Sequence, residues 1–194
     1  PVLFRPTTRI CHSKGDVGLG DIVKSTRKGE FKKDPRQYVV IPAHTRILHK
    51  KLNEKQPAIR RRIVELGLNR ADVRGKTAVI ASGIGASYVE ELLPPGISFM
   101  KIAAYPLDEE WLSAFVRQHE KVLVIEELAP VVEEVVRQVA GSVPVYGKKN
   151  GYAPYEGELS PAAVAAIMKK AGFATRIPLP AAVPVPDEIG RAHV

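Results

Sequence analysis

Apolar and polar residues alternate regularly in the second half of the chain and irregularly in the first. After Gly75, short apolar runs at residues 77–81, 99–103, 122–125 and 143–145 are separated by segments of helix length. Fully apolar runs in such an alternation predict parallel strands that are covered by helices on both faces. The pattern therefore predicts an α/β fold whose sheet is open, mostly parallel and doubly wound.

Local signals mark where the helices of this half begin. Asp108 precedes two glutamates, which suit the first turn of a helix over residues 108–119. Ser160 followed by Pro161 is typical of an N-cap and a first helical position. Two further helices are predicted, one from the end of the turn at residues 82–85 to about residue 93 and one over residues 130–140.

The first 75 residues predict a helical, basic arm with little sheet. Residues 2–4 predict a short strand, residues 14–37 an exposed loop rich in glycine, and residues 38–41 a brief extended piece. Apolar spacing predicts a helix over residues 43–66, and Pro57 predicts that it is either two helices or one helix with a kink.

Charge separates the two halves further. Of the net charge of +8, residues 1–75 contribute +11, from 18 Lys/Arg and 7 Asp/Glu, and residues 76–194 contribute −3. A basic half can bind nucleic acid, an anionic cofactor or an acidic partner, or it can be a solvated helix surface. No aromatic residues interleave Arg61 and Arg62 to stack on bases, so we expect no nucleic-acid partner.

Composition excludes several classes of protein. The 194 residues, 45% hydrophobic and 26% charged, fit one globular domain with an appendage. The sequence contains no run of about 18 apolar residues that would predict a membrane span. We expect no signal peptide, because the first residues lack a charged start followed by a long apolar stretch. Cys11 is the only cysteine, which excludes an internal disulfide and a four-cysteine metal site. We expect a cytoplasmic protein.

Two strand ends carry candidate chemistry. The turn at Gly83 and Gly85 could cradle a phosphate, but the position of a third glycine is taken by Tyr88, so packing is the better interpretation. Glu126 and Glu127 follow a predicted strand. One of these carboxylates could act as an acid, a base or a cofactor contact, although a surface or interface carboxylate near the next helix N-terminus is the simpler interpretation.

A polar set near the N-terminus is a second candidate site. Thr8, Arg9 and His12, with Ser13, follow the predicted strand at residues 2–4. Arg9 could hold a carboxylate or phosphate, and the equal alternative is a hydrogen-bond network at a domain junction. None of the five histidines has the spacing of a metal ligand set, so we expect no metal site.

Five stretches together resemble one family. They are residues 81–89, 104–107, 122–130, 146–148 and 157–161, and their order and spacing resemble the middle domain of the large subunit of indolepyruvate:ferredoxin oxidoreductase. The resemblance implies a transketolase C-terminal-like α/β domain at residues 76–172. It also implies the end of a thiamine pyrimidine-binding domain at residues 1–20, a connecting arm at 21–75, and a proline-rich linker or disordered tail at 173–194.

The resemblance implies a parent enzyme that depends on thiamine diphosphate and magnesium and carries 4Fe-4S clusters. That parent would decarboxylate indolepyruvate or another aryl pyruvate oxidatively to an acyl-coenzyme A, and would work with a smaller beta subunit, ferredoxin and coenzyme A. This chain lacks the stretches that carry the catalytic groups, so we expect an inactive packing fragment that binds no cofactor and has no catalytic residue. The parent enzyme is expected to be a homo-oligomer. Thr8, Arg9, His12 and Glu126 remain the candidate cofactor contacts. The alternative is a coenzyme- or nucleotide-binding α/β module.

Overall fold

The computed structural model describes residues 3–6, 8–12, 14–26 and 28–177. The chain divides into two units, residues 1–44 and 45–194. The predicted linker or disordered end beyond Ile177 lies outside the described residues.

The first unit contains two short helices, α1 (Thr8–His12) and α2 (Pro35–Tyr38). Asp34 caps α2 by accepting a hydrogen bond from the Gln37 N–H at 3.2 Å. The predicted loop is confirmed over residues 14–26 and 28–34. It is wrong for residues 35–37, which belong to α2 together with Tyr38 of the predicted extended piece, and residues 39–41 form only a short link to the next helix.

The strand predicted at residues 2–4 is wrong for the two of its residues that the structure describes. Leu3 and Phe4 have no regular structure, and among the described residues no strand pairs with them. An apolar run forms a strand only when a neighbour supplies hydrogen bonds for its backbone. The polar set that follows therefore lies on helix α1, not at the end of a strand.

Helix α3 (Pro42–Glu65) is continuous through Pro57. Proline removes the N–H that would bond the carbonyl of Asn53, four residues earlier. Asn53 is exposed, so water can replace that donor, and the single-helix alternative is the one observed. Within α3, only Ile63 is fully buried.

The second unit carries a five-stranded sheet in the order β1-β3-β2-β4-β5. The strands are β1 (Arg70–Asp72), β2 (Thr77–Ser82), β3 (Ser98–Ile102), β4 (Lys121–Ile125) and β5 (Val145–Tyr146). All pairings are parallel except the antiparallel β1–β3 pair. The open, mostly parallel sheet is thus confirmed, and β1 is an addition that the apolar pattern did not predict.

Four helices cover the sheet, two on each face. They are α4 (Gly83–Leu92), α5 (Glu109–Arg117), α6 (Val131–Val139) and α7 (Pro161–Lys170). Val79 and Leu123 pack with α4 and α7, whereas Ile80 and Val124 pack with α5 and α6. This alternation of neighbouring residues follows from the period of two along a strand. The architecture is that of the transketolase C-terminal-like α/β fold. Within the described part of the chain, no helix has the length and apolarity that crossing a membrane requires.

Candidate functional site

The strand order places a candidate site between the ends of β2 and β4. From β2 the chain goes to β3 on one side of β2 and then to β4 on its other side. Open α/β sheets bind ligands at such a switch point, beside the carboxyl ends of the strands. Four polar residues stand at these ends, one at each parallel strand: Ser82, Tyr105, Glu126 and Lys148.

Glu126 is buried, with 4% of its surface exposed, and both of its carboxylate oxygens are used. Oε2 accepts a hydrogen bond from the Val132 N–H and Oε1 accepts one from the Glu133 N–H, each at 2.9 Å. The residue at the N-cap position of α6 is Pro130, whose side chain makes no cap bond. Glu126 therefore caps this helix N-terminus from the end of β4. Its place beside the helix N-terminus agrees with the simpler sequence interpretation, but the carboxylate is buried and not at the surface.

Burial raises the pKa of Glu126, and the negative charge of Glu133 raises it further. The two hydrogen bonds from the backbone of α6 and the positive charge of Lys148 act in the opposite direction. Because both oxygens already accept hydrogen bonds, this carboxyl is poorly placed to exchange a proton with a substrate.

Lys148 is also buried, with 3% of its surface exposed. Burial lowers the pKa of its ammonium group, whereas the negative charges of Glu126, Glu133 and Glu127 raise it. Its Nζ donates a hydrogen bond to the carbonyl of Pro154 and lies 5.8 Å from the centroid of the Tyr155 ring. The ammonium group is thus held by the chain's own backbone and acidic residues.

Glu133 fixes the loop that carries Lys148. Its carboxylate is fully buried and accepts hydrogen bonds from the Lys148 N–H at 2.7 Å and from the Arg137 guanidinium at 2.8 Å. A Cβ added to Gly147 would lie 2.5 Å from the Glu133 carboxylate, so only glycine fits there. The loop is therefore locked to α6 by charge and by close contact.

Tyr105 forms the exposed side of the cluster, with 51% of its surface exposed. Partial burial raises the pKa of its phenol, and the negative charge of Glu126 raises it further, while a hydrogen bond with Ser82 lowers it. The phenol thus stays protonated at neutral pH and can donate a hydrogen bond.

The glycine turn at the start of α4 serves packing. Gly83 has φ +58°, a conformation that glycine adopts at no steric cost. A Cβ at Gly85 would lie 3.0 Å from Leu159 Cδ1 and 3.3 Å from Ile125 Cγ2. Gly85 is therefore needed for close contact with β4 and the segment before α7, which confirms the packing interpretation.

The N-terminal candidates lie in the other unit. Thr8, Arg9 and His12 all belong to α1, and Thr8 and His12 are exposed. Ser13 lies outside the described residues. Glu126 belongs to the second unit. Within the described part of the chain, no three His, Cys, Asp or Glu side chains come together as metal ligands would.

Sequence reasoning missed Glu133 and Lys148, although each carried a signal. Glu133 and Arg137 are four residues apart, the spacing of an ion pair on one helix face, and the structure joins them. Lys148 follows a glycine at the end of a predicted strand. Asn69 was missed as well, and its Oδ1 accepts hydrogen bonds from the Ala103 and Ala104 N–H groups at 2.8 and 2.9 Å.

Comparison with known proteins finds relatives of most of the chain. Indolepyruvate oxidoreductase subunit IorA of Methanothermobacter thermautotrophicus is 36% identical over 165 residues, 79% of this chain. The IorA subunit of Thermococcus kodakarensis is 36% identical over 192 residues, and that of Archaeoglobus fulgidus is 38% identical over 160 residues. The chain is related to one segment of the IorA subunits. This finding confirms the resemblance stated from the sequence.

The chain matches 26–30% of the length of these three IorA relatives, and from 79% to 91% of the chain takes part in the match. No family model matches the chain. No solved structure matches it either.

The four strand-end residues fall inside the stretches on which the resemblance to IorA was based. Ser82, Tyr105, Glu126 and Lys148 belong to residues 81–89, 104–107, 122–130 and 146–148 respectively. The fifth stretch, residues 157–161, contains Leu159, whose N–H donates a hydrogen bond to Glu127 at 2.9 Å. Stretches that are far apart in sequence thus meet at one edge of the sheet.

Proposed function

We propose that the chain is a packing part of a larger indolepyruvate:ferredoxin oxidoreductase and has no complete active site of its own. The whole enzyme would use thiamine diphosphate to convert indolepyruvate or another aryl pyruvate, coenzyme A and oxidised ferredoxin into acyl-coenzyme A, carbon dioxide and reduced ferredoxin. The observation that carries this proposal is the match of most of the chain to about a quarter to a third of the IorA subunits.

The charges at the strand ends support a packing role. The oxygens of Glu126 accept hydrogen bonds from α6, the ammonium of Lys148 donates to Pro154, and Glu133 is held by the loop and by Arg137. A binding site for an anionic cofactor needs donors that remain available to the ligand. Here the donors and acceptors bind one another, which favours rigidity over ligand capture.

In this proposal, thiamine diphosphate and magnesium bind to segments of the larger protein outside this chain. The glycine turn at Gly83 and Gly85 is the place where a diphosphate could have been held. Leu159 and Ile125 lie against Gly85, so the glycine turn is used for packing. The cofactors, including the 4Fe-4S clusters of the whole enzyme, would be held elsewhere in the larger protein.

The partners follow from the same proposal. The chain would act beside the rest of its own subunit and a smaller beta subunit, in a cytoplasmic complex that contains two or more copies of each. Its basic helix α3 would face acidic protein surfaces of this complex, because a positively charged surface attracts an acidic partner. Aromatic residues that could stack on bases do not interleave Arg61 and Arg62, so no nucleic-acid partner is proposed.

Calorimetry and turnover test the proposal. The purified chain should show no saturable heat with thiamine diphosphate and magnesium or with coenzyme A, and no turnover of indolepyruvate with ferredoxin. Co-expression with the remaining segments of the larger subunit and with the beta subunit should give an active complex that contains the chain. Turnover by the chain alone would refute the proposal, and saturable binding of coenzyme A would favour the coenzyme-binding module instead.

A further inference from the structure

Strand β1 leaves one edge of the sheet open. It stands at the end of the strand order, and among the described residues β3 is the only strand that pairs with it. Its three residues, Arg70, Ala71 and Asp72, are all exposed. Successive residues of an antiparallel strand point their backbone groups to opposite sides, so β1 keeps N–H and C=O groups that face away from β3. Such groups are a template for a further strand.

The opposite edge of the sheet is covered by the chain itself. The carbonyl of Val145 in β5 accepts hydrogen bonds from the Arg137 guanidinium at 2.9 Å and from the Asn150 side chain at 3.0 Å. Oδ1 of Asn150 also accepts a hydrogen bond from the Gly147 N–H at 2.9 Å, directly after β5. The two edges therefore differ, because the outward groups of β5 have partners within the chain.

The sequence of β1 is complementary to itself. When a strand pairs with a second copy about a two-fold axis, the central residue lies opposite itself and its two neighbours exchange places. With Ala71 at the centre, Arg70 lies opposite the partner's Asp72, and Asp72 lies opposite the partner's Arg70. Opposite charges in directly opposed positions attract each other, whereas charges of one sign would repel a second copy.

The contacts of β1 within the chain leave its charges accessible to such a partner. Arg70 Nη2 and Lys101 Nζ donate hydrogen bonds to the two oxygens of one carboxylate, that of Glu90, at 2.7 and 2.8 Å. Glu90 therefore keeps a cationic partner when Arg70 also contacts a second copy. Arg74 Nε donates to Asp72 Oδ2 at 2.8 Å, so cations and carboxylates would alternate across the pair of strands.

Space for the partner's side chains lies beside β1. Arg70 is opposite Lys101 of β3, which places Arg70 and Asp72 on the sheet face that α4 covers. The same residues line an open cavity of about 440 Å³, together with Arg74 and Glu90. Helix α4 thus does not close this edge on the face that carries the charges.

We propose that two copies of this chain pair through β1, antiparallel and centred on Ala71, so that their sheets join into one continuous sheet. The inference goes beyond the proposed function, because it depends on β1 alone and names a second copy of this chain as the occupant of the edge. The ladder is short, so the dimer is reversible and forms as the concentration of the chain rises.

Sedimentation velocity of the chain at concentrations from about 1 µM to about 1 mM tests the proposal. The parent chain should change reversibly from monomer to dimer within this range. A chain that remains a monomer throughout the range would overturn the proposal.

Charge reversal at β1 locates the contact. Arg70→Asp would set two carboxylates opposite each other in both symmetry-related pairs, and Asp72→Arg would set two guanidinium groups there. Each variant alone should dimerise about tenfold or more weakly than the parent chain. An equimolar mixture of the two variants should form a dimer again, because opposite charges then face each other in both pairs.

The mixture is the decisive measurement, since mixing cannot repair a variant that has failed to fold. Thermal unfolding of each variant gives an independent check of its fold. If both variants are folded and their mixture remains monomeric, the pairing through β1 is wrong.

Glu134→Lys is the matched control, because it changes the net charge as much as Asp72→Arg does. The side chain of Glu134 is 53% exposed and pairs with Lys149 at 2.8 Å, outside β1. This variant should dimerise as the parent chain does. If it weakens the dimer as much as Asp72→Arg does, net charge and not strand pairing governs association, and the proposal is overturned.

The outcome is separate from that of the proposed function. Calorimetry and turnover decide whether the chain is an inactive packing part, and the oligomeric state does not enter those measurements. A chain that is inactive alone and also monomeric would overturn only the pairing through β1.

Discussion

Residues 1–44 and the α/β part of the second unit use apolar residues in opposite ways. In the α/β part, both faces of the sheet are packed by helices, and residues such as Ile80 and Leu123 have no exposed surface. In residues 1–44, no described residue is fully buried. Leu19, Ile22, Val23 and Phe31 are each at least 90% exposed.

The difference shows that apolar content alone does not make a core. The strands of the α/β part are short runs that repeat between helices, so each run finds neighbours on both sides. The apolar residues of 1–44 are scattered among glycines, lysines and aspartates, with no period that would gather them on one face. Stability should therefore depend on the second region and be insensitive to the first.

The largest expected difference between the two regions comes from replacing one isoleucine in each by alanine. Ile80→Ala in β2 should lower the free energy of unfolding by about 3–4 kcal/mol, because it leaves a cavity in a fully buried position. Ile22→Ala should change it by less than about 0.5 kcal/mol, because Ile22 is 91% exposed. Urea denaturation measures both values. Equal losses would show that residues 1–44 contribute to the same core.

Removing one carboxylate from each region sharpens the comparison. Glu133→Ala should cost about 2–3 kcal/mol, since it leaves the Lys148 N–H and the Arg137 guanidinium without their acceptor. Glu30→Ala, at an exposed position, should stay within about 0.5 kcal/mol of the parent chain. Urea denaturation of both variants is the measurement, and a Glu133→Ala variant as stable as the parent chain would contradict the locked loop.

Glycine substitutions give a smaller contrast. Gly147→Ala should cost about 1–3 kcal/mol, because the new Cβ would overlap the buried Glu133 carboxylate. Gly29→Ala meets no atom within 4 Å and should be neutral within about 0.5 kcal/mol. Thermal unfolding distinguishes the two. A neutral Gly147→Ala would show that Glu133 can move away at little cost.

The smallest effect is a dependence on pH. Burial lowers the pKa of His119, whose Nδ1 lies 2.7 Å from the Phe115 carbonyl oxygen and whose Nε2 is buried without a partner. Below about pH 6.5 the unfolded chain then binds more protons than the folded chain. The free energy of unfolding therefore decreases as the pH falls towards and through the lowered pKa of His119 in the folded chain.

Urea denaturation at pH 7 and pH 5 measures this loss. His119→Gln should lose less stability than the parent chain between the two values, because glutamine does not titrate. His12→Gln, at an exposed position of residues 1–44, is the control and should behave as the parent chain does. An equal loss in the parent chain and in His119→Gln would show that protonation of His119 does not contribute.

The sequence predicted the α/β part well because its signals are local. Each of the four apolar runs became a strand, within about two residues of its predicted ends. Asp108 and Ser160 act as N-caps, accepting hydrogen bonds from Trp111 and Ala163 at 2.9 and 3.2 Å. Side chains that cap a helix act within three residues, so a single sequence contains the whole signal.

The remaining features depend on contacts between distant residues. β1 contains Arg70, Ala71 and Asp72, whose exposed side chains carry no apolar pattern, and it forms by pairing with β3. The partners of Glu126 are six and seven residues away, on a helix that must first pack against the sheet. The strand predicted at residues 2–4 failed at Leu3 and Phe4 for the opposite reason, because the run is apolar but no strand among the described residues pairs with it.

The double hydrogen bond between Glu126 and α6 has a mechanical consequence. The loop from Glu127 to Pro130 begins at the end of β4 and ends at the first turn of α6. Two hydrogen bonds to Glu126 hold that turn against fraying. A displacement of Leu128 would therefore be transmitted to β4 and α6, because one buried carboxylate joins these two elements.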